Sequence, residues 1–311
     1  MPVYIGKQTK KGTSQTTNSS LKRLGAKDFN ITESVQSKES EQVNEVGVTQ
    51  DAWVSEITVG GDVSIETSLG QLEMLIENAG FKKETTSPPA TPNISTYKLD
   101  NKFDTFLTVV QDDPVSQSYD VFQDLQINTL KVDTALQSYV NTTIGFLGLK
   151  AENKTTEFSS NGTQEFDGKL LICLGTTITE KGTDKTAEID SLSIDITNSL
   201  QSRGALNDVY HNRIHRDGLR TFKINFKYNL FDKQSYHEAK DLLKKSGDYE
   251  VKVKFKEQGT ENHVEFVFHK CKISDVKKND VLTNPTTEKE LIAVYDTEKK
   301  TPVTITFNKK A

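Results

Sequence analysis

Cysteine is nearly missing: Cys173 and Cys271 are the only two, far apart and outside any Cys-x-x-Cys pair. That excludes a disulfide framework and a cysteine-built zinc site, and leaves two buried, inert thiols as the expectation. Long apolar runs are missing too. None approaches the about 18 residues needed to cross a bilayer, and the opening MPVYIGKQTKKGTSQTTNSS has no apolar signal-peptide core. No membrane association and a reducing cytosol are therefore expected. Triplets such as Asn141-Thr142-Thr143 then carry no glycan expectation. Positive charge is in deficit, with a net charge of −5. This argues against wrapping nucleic acid but not against holding it at a distance, where a mildly repulsive wall prevents sticking.

Catalytic signatures are absent as well. There is no Gly-x-Ser-x-Gly elbow, no Gly-rich phosphate loop ending in Lys-Ser/Thr, and no Cys-His pairing at motif spacing. The carboxylate pairs Asp112-Asp113 and Glu39/Glu41 sit beside Pro114 or in a Ser-rich stretch, where acidic loops are common. No enzyme, no cofactor and no metal are expected. His211 and His215 in YHNRIHRDG have the i, i+4 spacing of a zinc hydrolase, but positions 212 and 213 are Asn and Arg where the motif needs Glu. Arg213 and Arg216 would repel a cation, and Gly204 and Gly218 bracket a polar stretch without helical period, so a loop is expected there.

What the chain has is alternation. Leu192, Ile194 and Ile196 alternate with polar residues, as do Phe222, Ile224, Phe226, Tyr228 and Leu230. Tyr249, Val251, Val253 and Phe255 alternate likewise, and Val264, Phe266 and Phe268 follow across the loop EQGTEN, which predicts a hairpin; Val303, Ile305 and Phe307 predict a last strand. His263 and His269 point away from the apolar side of their strand. Two helices are expected. One carries Leu72, Leu75, Ile76 and Ala79, with Ser68 as N-cap and Gly80 as stop; the other carries Tyr236, Ala239, Leu242 and Leu243, capped by Asp232 or Ser235 and stopped at Gly247. Gly60-Gly61 reads as a tight turn entering a strand from Asp62 to Ile65, with close approach between subunits as the functional alternative.

Registering the two helices divides the chain into halves with one order of elements. The expected fold class is mainly β (α+β): two tandem β-sandwich or barrel-like modules, each flanked by one helix. The expected divisions are 1–25, an N-terminal arm; 26–150, the first module; 151–186, a linker dense in Gly, Thr and Ser; and 187–311, the second module.

Taken together, GKQTKKGT, GGDVSIETSLGQLEMLIENAGF, IDSLSIDITNSLQSRGAL, the block from Phe222 to Val276 and the ending TPVTITFN resemble phage tail tube proteins over nearly the whole chain, in element order and turn chemistry. The resemblance implies a virion protein of the tail, assembled in the host bacterial cytoplasm. It would polymerise with itself into stacked rings, either three chains with pseudo-sixfold symmetry or six chains. It also implies tape-measure, tail terminator and baseplate or tip proteins as partners, and DNA passing through the lumen without specific binding. A β-rich, adhesin-like tail binding module is the alternative; the single Trp53, inside the strand-like run DAWVSEIT, does not favour it.

Under this resemblance Asp124, Gln126, Asn128 and Glu265 are the lumen-facing candidates, being polar positions on strands. His211, Arg213, His215, Arg216 and Arg220 are the inter-subunit candidates, their charge suiting a carboxylate on an adjoining chain. The polar stretches Lys7–Ser20, Glu84–Asn93 and Glu152–Gly168 are expected to order against neighbouring subunits.

Overall fold

The computed structural model describes residues 1–13, 21–42, 46, 48–49, 51–84, 93–102, 104–156, 158, 163–206, 208–279 and 285–309. The first strands are β1 (Val3–Lys7), β2 (Lys22–Leu24), β3 (Ala26–Phe29), β4 (Thr32–Glu39) and β5 (Ala52–Glu66), followed by helix α1 (Leu69–Asn78). Next come β6 (Phe81–Lys83), β7 (Ile94–Leu99), β8 (Leu107–Asp113), β9 (Ser118–Ala135), β10 (Asn141–Gly148) and β11 (Lys150–Lys154). The chain continues with β12 (Leu171–Glu180), β13 (Thr183–Asp184), β14 (Ile189–Thr197), β15 (Leu200–Arg203), β16 (Arg213–Arg216) and β17 (Thr221–Tyr228). It ends with helix α2 (Lys233–Lys245), β18 (Asp248–Glu257), β19 (His263–Asn279), β20 (Thr286–Ala293) and β21 (Val303–Asn308). The fold is mainly β, as expected, with large antiparallel sheets and two helices among the described residues.

Both helices form where their apolar stripes predict. At α1 the capping box closes from both sides: Ser68 Oγ accepts from the Gln71 amide at 3.3 Å while Gln71 Oε1 accepts from the Ser68 amide at 2.8 Å. At α2 the cap is Asp232, whose carboxylate accepts from the amides of Gln234 and Ser235. The residue that ends α2 in the left-handed conformation is Ser246 (φ 51), one before the expected Gly247.

The two longest strands organise the molecule. The first part of β9 pairs with β8 and β11, and its second part with β10 and β14. In the same way the first part of β19 pairs with β18 and β21, and its second part with β20. Each strand slips register by one residue against its partner: Ile127 faces Phe146 and Thr129 faces Gly145, so Asn128 is the extra residue; Ile273 faces Leu291 and Asp275 faces Glu290, so Ser274 is. Such bulges bend a strand and let it pass from one layer to the next.

One sheet consequently runs through both halves in the order β5-β10-β9-β14-β17-β20-β19. Its apolar face, including Ile65, Ile144, Val132, Ile194, Ile224 and Leu291, shares a single buried core with Leu72, Leu75 and Ile76 of α1 and with Val109 and Phe122 of the second layer. A smaller cluster, Tyr4, Leu21, Val110, Val121 and Phe158, lies on the other side of the β1–β8–β9 layer.

Three expectations change here. Gly60-Gly61 is no turn; β5 passes straight through it, and Gly61 (φ 145) sits where an added Cβ would meet the Asn30 carbonyl oxygen at 1.9 Å. The close approach is to the chain's own Asn30, at the break between β3 and β4. The loop expected around YHNRIHRDG contains β16, paired with β15 in a two-stranded ribbon; backbone bonds hold it, so no apolar alternation announces it. The stretch 151–186 carries β11 and β12, which add a strand to β9 and to β18 respectively. Residues 14–20, 85–92, 157 and 159–162 of the three expected ordering segments lie outside the described residues.

Candidate functional site

The outward face of the seven-stranded sheet is mostly polar, with Ile292 and Ala135 as apolar members, because alternation sends every second side chain of each strand away from the core. The register lines these side chains into rows that cross both halves. One row reads Glu66, Asn141, Asp133, Ser193, Asn225, Glu290, Asp275. The next reads Ser64, Thr143, Lys131, Asp195, Lys223, Ile292, Lys272. A shorter row holds Asp62, Gly145, Thr129, Thr197 and Thr221, and at the other end Ser191, Lys227, Glu288 and Lys277 line up.

Neighbours in these rows bond to one another. Asn225 Nδ2 donates to Asp195 Oδ2 at 2.8 Å and to Ser193 Oγ at 3.1 Å, and Lys223 Nζ reaches Glu290 Oε1 at 3.0 Å. Ser274 Oγ donates to the same carboxylate at 2.8 Å. Burial, joined by the nearby Asp195 carboxylate and opposed by Lys131, pushes the Asp133 carboxyl up. Carboxylates exceed ammonium groups on this face: Asp62, Glu66, Asp133, Asp195, Asp275, Glu288 and Glu290 against Lys131, Lys223, Lys227, Lys272 and Lys277. Ionic pairs between partly exposed groups add little to stability; the face is mixed and weakly acidic, and Lys131, Asp133, Asn225, Asp275, Lys277 and Glu290 help to line an open polar concavity of about 410 Å³ on it.

The lumen candidates fall elsewhere. Asp124 is 6% exposed and Gln126 2% exposed, both covered by their own chain. The Gly12 amide donates to Asp124 Oδ1 at 2.7 Å, and Gln126 Nε2 donates to the Thr105 carbonyl at 3.4 Å. Asn128, the bulge residue, is a fastener between the halves: its Oδ1 accepts from the Leu200 amide at 2.8 Å and its carbonyl from the Asn198 amide at 2.8 Å. Glu265 lies between Lys254 of β18 and Thr306 of β21, beyond the bend from the seven-stranded sheet.

The predicted contact residues lie partly at the seam between the chain's own halves. His211 Nε2 approaches Glu56 Oε1 at 2.5 Å, with Nδ1 2.6 Å from Ser202 Oγ, while the Ile57 amide donates to the Val209 carbonyl at 2.7 Å. Arg220 Nη1 donates to the carbonyls of Asp100 (2.7 Å) and Gly80 (3.3 Å), clamping the chain just after α1. Burial and the Arg216 charge lower its pKa to about 10, still far above neutrality. Arg213 and Arg216 are exposed, and His215 is half-buried with Nε2 4.0 Å from Asp217.

Sequence reasoning missed Asn198, whose side-chain amide donates to the carbonyls of Ile127 (2.8 Å) and Ala79 (3.2 Å) and so ties β9, α1 and β14 together. Its position at the end of the LSIDIT alternation was the available signal. Among the described residues no three His, Cys, Asp or Glu side chains gather as metal ligands, and no helix is long and apolar enough to cross a membrane.

No curated protein matches the chain. A family model described as phage tail tube protein matches residues 2–235, which run from before β1 into α2 and hold five of the seven strands of the shared sheet, all but β19 and β20. With a match over most of its length, on a β-rich fold built around one sheet shared by two halves, the chain belongs to the phage tail tube protein family and is a structural protein of the phage tail.

Proposed function

We propose that this protein polymerises into rings that stack into the tail tube, with the polar face of the seven-stranded sheet turned to a central channel through which DNA passes. The observation that carries this reading is the continuity of that face: aligned rows of polar and charged side chains cross from one half to the other without interruption. Its excess of carboxylates suits a wall along which phosphates slide without being held. The residues proposed for the channel are thus Thr129, Lys131, Asp133, Asp195, Asn225 and Lys227, in place of the buried Asp124 and Gln126.

The two halves divide as residues 26–150 and 187–311, each supplying one module. Three chains then give six modules per ring, with six chains as the other closure. Tape-measure, terminator and baseplate or tip proteins are the partners at the tube's interior and ends, assembly takes place in the host cytoplasm, and Arg213 and Arg216, exposed beyond the seam, are available to a neighbouring subunit. Negative-stain electron microscopy of the purified protein across a concentration series tests the reading. Rings or tubes with an open centre are expected; a compact monomer at every concentration, with tail partners present, overturns it.

A further inference from the structure

Between the first turns of α2 and the core side of β17 and β20 lies a cavity of about 210 Å³. Its apolar walls are Tyr228, Leu230, Tyr236 and Ala239, and Thr287 and Lys289 of β20 close its inner end. The cavity follows from how α2 docks. Leu69, Leu72, Leu75 and Ile76 of α1 are all buried, whereas α2 buries Ala239 alone, so the second helix leaves space beneath it. Leu230, 65% exposed, and the exposed Ser235 stand at its rim and leave it open to solvent.

The charges around the cavity are already paired. Lys289 Nζ donates to Glu180 Oε2 and to Tyr228 Oη, each at 2.7 Å. Lys185 Nζ reaches both oxygens of Glu188 at 2.8 and 2.9 Å, and the Asp232 carboxylate accepts from the amides of Gln234 and Ser235. An ion entering here would give up its water without gaining a counter-charge. One buried polar group is left over. Thr287 stands opposite Tyr228 in the β17–β20 register, so its side chain leaves the sheet on the cavity's side. It is 7% exposed, and its Oγ1 has no hydrogen-bond partner among the described residues. Buried hydroxyls in native interiors are nearly always satisfied, and one left alone is costly.

We propose that this cavity is a binding site for a small neutral molecule carrying one aromatic ring and one hydroxyl. The ring lies among Tyr228, Leu230, Tyr236 and Ala239, and the hydroxyl bonds to Thr287 Oγ1. Size, polarity and charge each narrow the class. An apolar cavity of about 150 Å³ is enough to hold benzene, so 210 Å³ takes one ring with a small polar substituent. Tyrosine rings favour an aromatic neighbour in offset or edge contact. The paired charges exclude an ionic ligand, and the single free hydroxyl asks for one hydrogen-bonding group. The site lies on the core side of the sheet, opposite the polar face assigned to the channel, and is independent of how copies assemble.

The test is methyl-detected NMR of the purified chain, following Leu230, Ala239 and Thr287 while phenol, benzene and benzoate are titrated in turn. Phenol and benzene are expected to shift these methyls saturably, and benzoate to leave them in place. Thr287→Val keeps the shape and removes the hydroxyl; it should weaken phenol about fivefold and leave benzene unchanged. Thr287→Ser, which retains the hydroxyl, should keep the preference for phenol. Retained benzene binding shows that a variant is folded, so equal phenol affinity in the parent and in Thr287→Val overturns the assignment. Absence of saturable shifts with both neutral probes in the parent protein overturns it as well, as does benzoate binding as tightly as phenol.

Discussion

The second parts of β9 and β19 are built alike, each following a bulge and each carrying one partner strand on the same side, yet among the described residues only β9 has a strand on its other edge. The helices differ in the same direction. In α1, Leu69, Leu72, Leu75 and Ile76 are all buried, while in α2 only Ala239 is. One half is thus finished by the other half, and the other half stops short.

The sharpest way to break the comparison is to place a charge on each side of it. Ile194→Asp puts a carboxylate into the fully buried face of β14. A loss of about 5 kcal/mol or more is expected, seen as the absence of a cooperative thermal transition. The matching change on the exposed strand β4, Val35→Asp, is expected to leave monomer stability within about 0.5 kcal/mol while reducing tube formation by light scattering.

Next in size come the two Glu–Tyr–Lys clusters. Glu180 accepts from Tyr228 Oη at 2.6 Å and from Lys289 Nζ at 2.7 Å, with its side chain 7% exposed, and burial beside that carboxylate drives the Tyr228 pKa far up. Glu73 meets Tyr97 Oη at 2.9 Å and also pairs with Lys309, in a more open setting. Glu180→Ala strands a buried ammonium and should cost about 3–5 kcal/mol by denaturant unfolding; Glu73→Ala should cost less. Leu72→Ala, in the buried stripe of α1, is expected to cost about 2–5 kcal/mol, whereas Leu243→Ala on α2 should cost under about 1 kcal/mol in the monomer.

The structure was legible where local period and local chemistry coincide. The alternations of β14, β17, β18 and β19 and the caps at Ser68 and Asp232 all stand where their residues say. Which polar side chains of β9 reach the open face of the sheet was not legible from β9 alone. Asp124 and Gln126 are as polar as Lys131 and Asp133, and only the tertiary fold shows that residues 8–12 and the chain before Leu107 cover the first two. A one-residue bulge at Asn128 also shifts which side chains share a face, and nothing in the local pattern marks it. The β15–β16 ribbon escaped notice for a related reason: its strands bury no continuous face.

The smallest expected effect is a pH dependence. Burial raises the Glu73 carboxyl, but hydrogen bonding and charge from Lys309, with help from Tyr97, outweigh it and leave the pKa below its usual 4.5. A carboxyl depressed in the folded state contributes fully above its unfolded value and loses that contribution as pH falls through the folded one. Glu73→Gln should therefore flatten the fall of melting temperature on acidification below about pH 4.5, by a few degrees at most, and leave the neutral range with the same slope as the parent protein.

The central claim, that the polar face of the shared sheet lines a channel, is tested most directly by cryo-electron microscopy of the assembled tube. The predicted result is Lys131, Asp133, Asp195, Asn225 and Lys227 on the inner wall. A tube that carries these residues on its outer surface, or buries them between stacked rings, would contradict it.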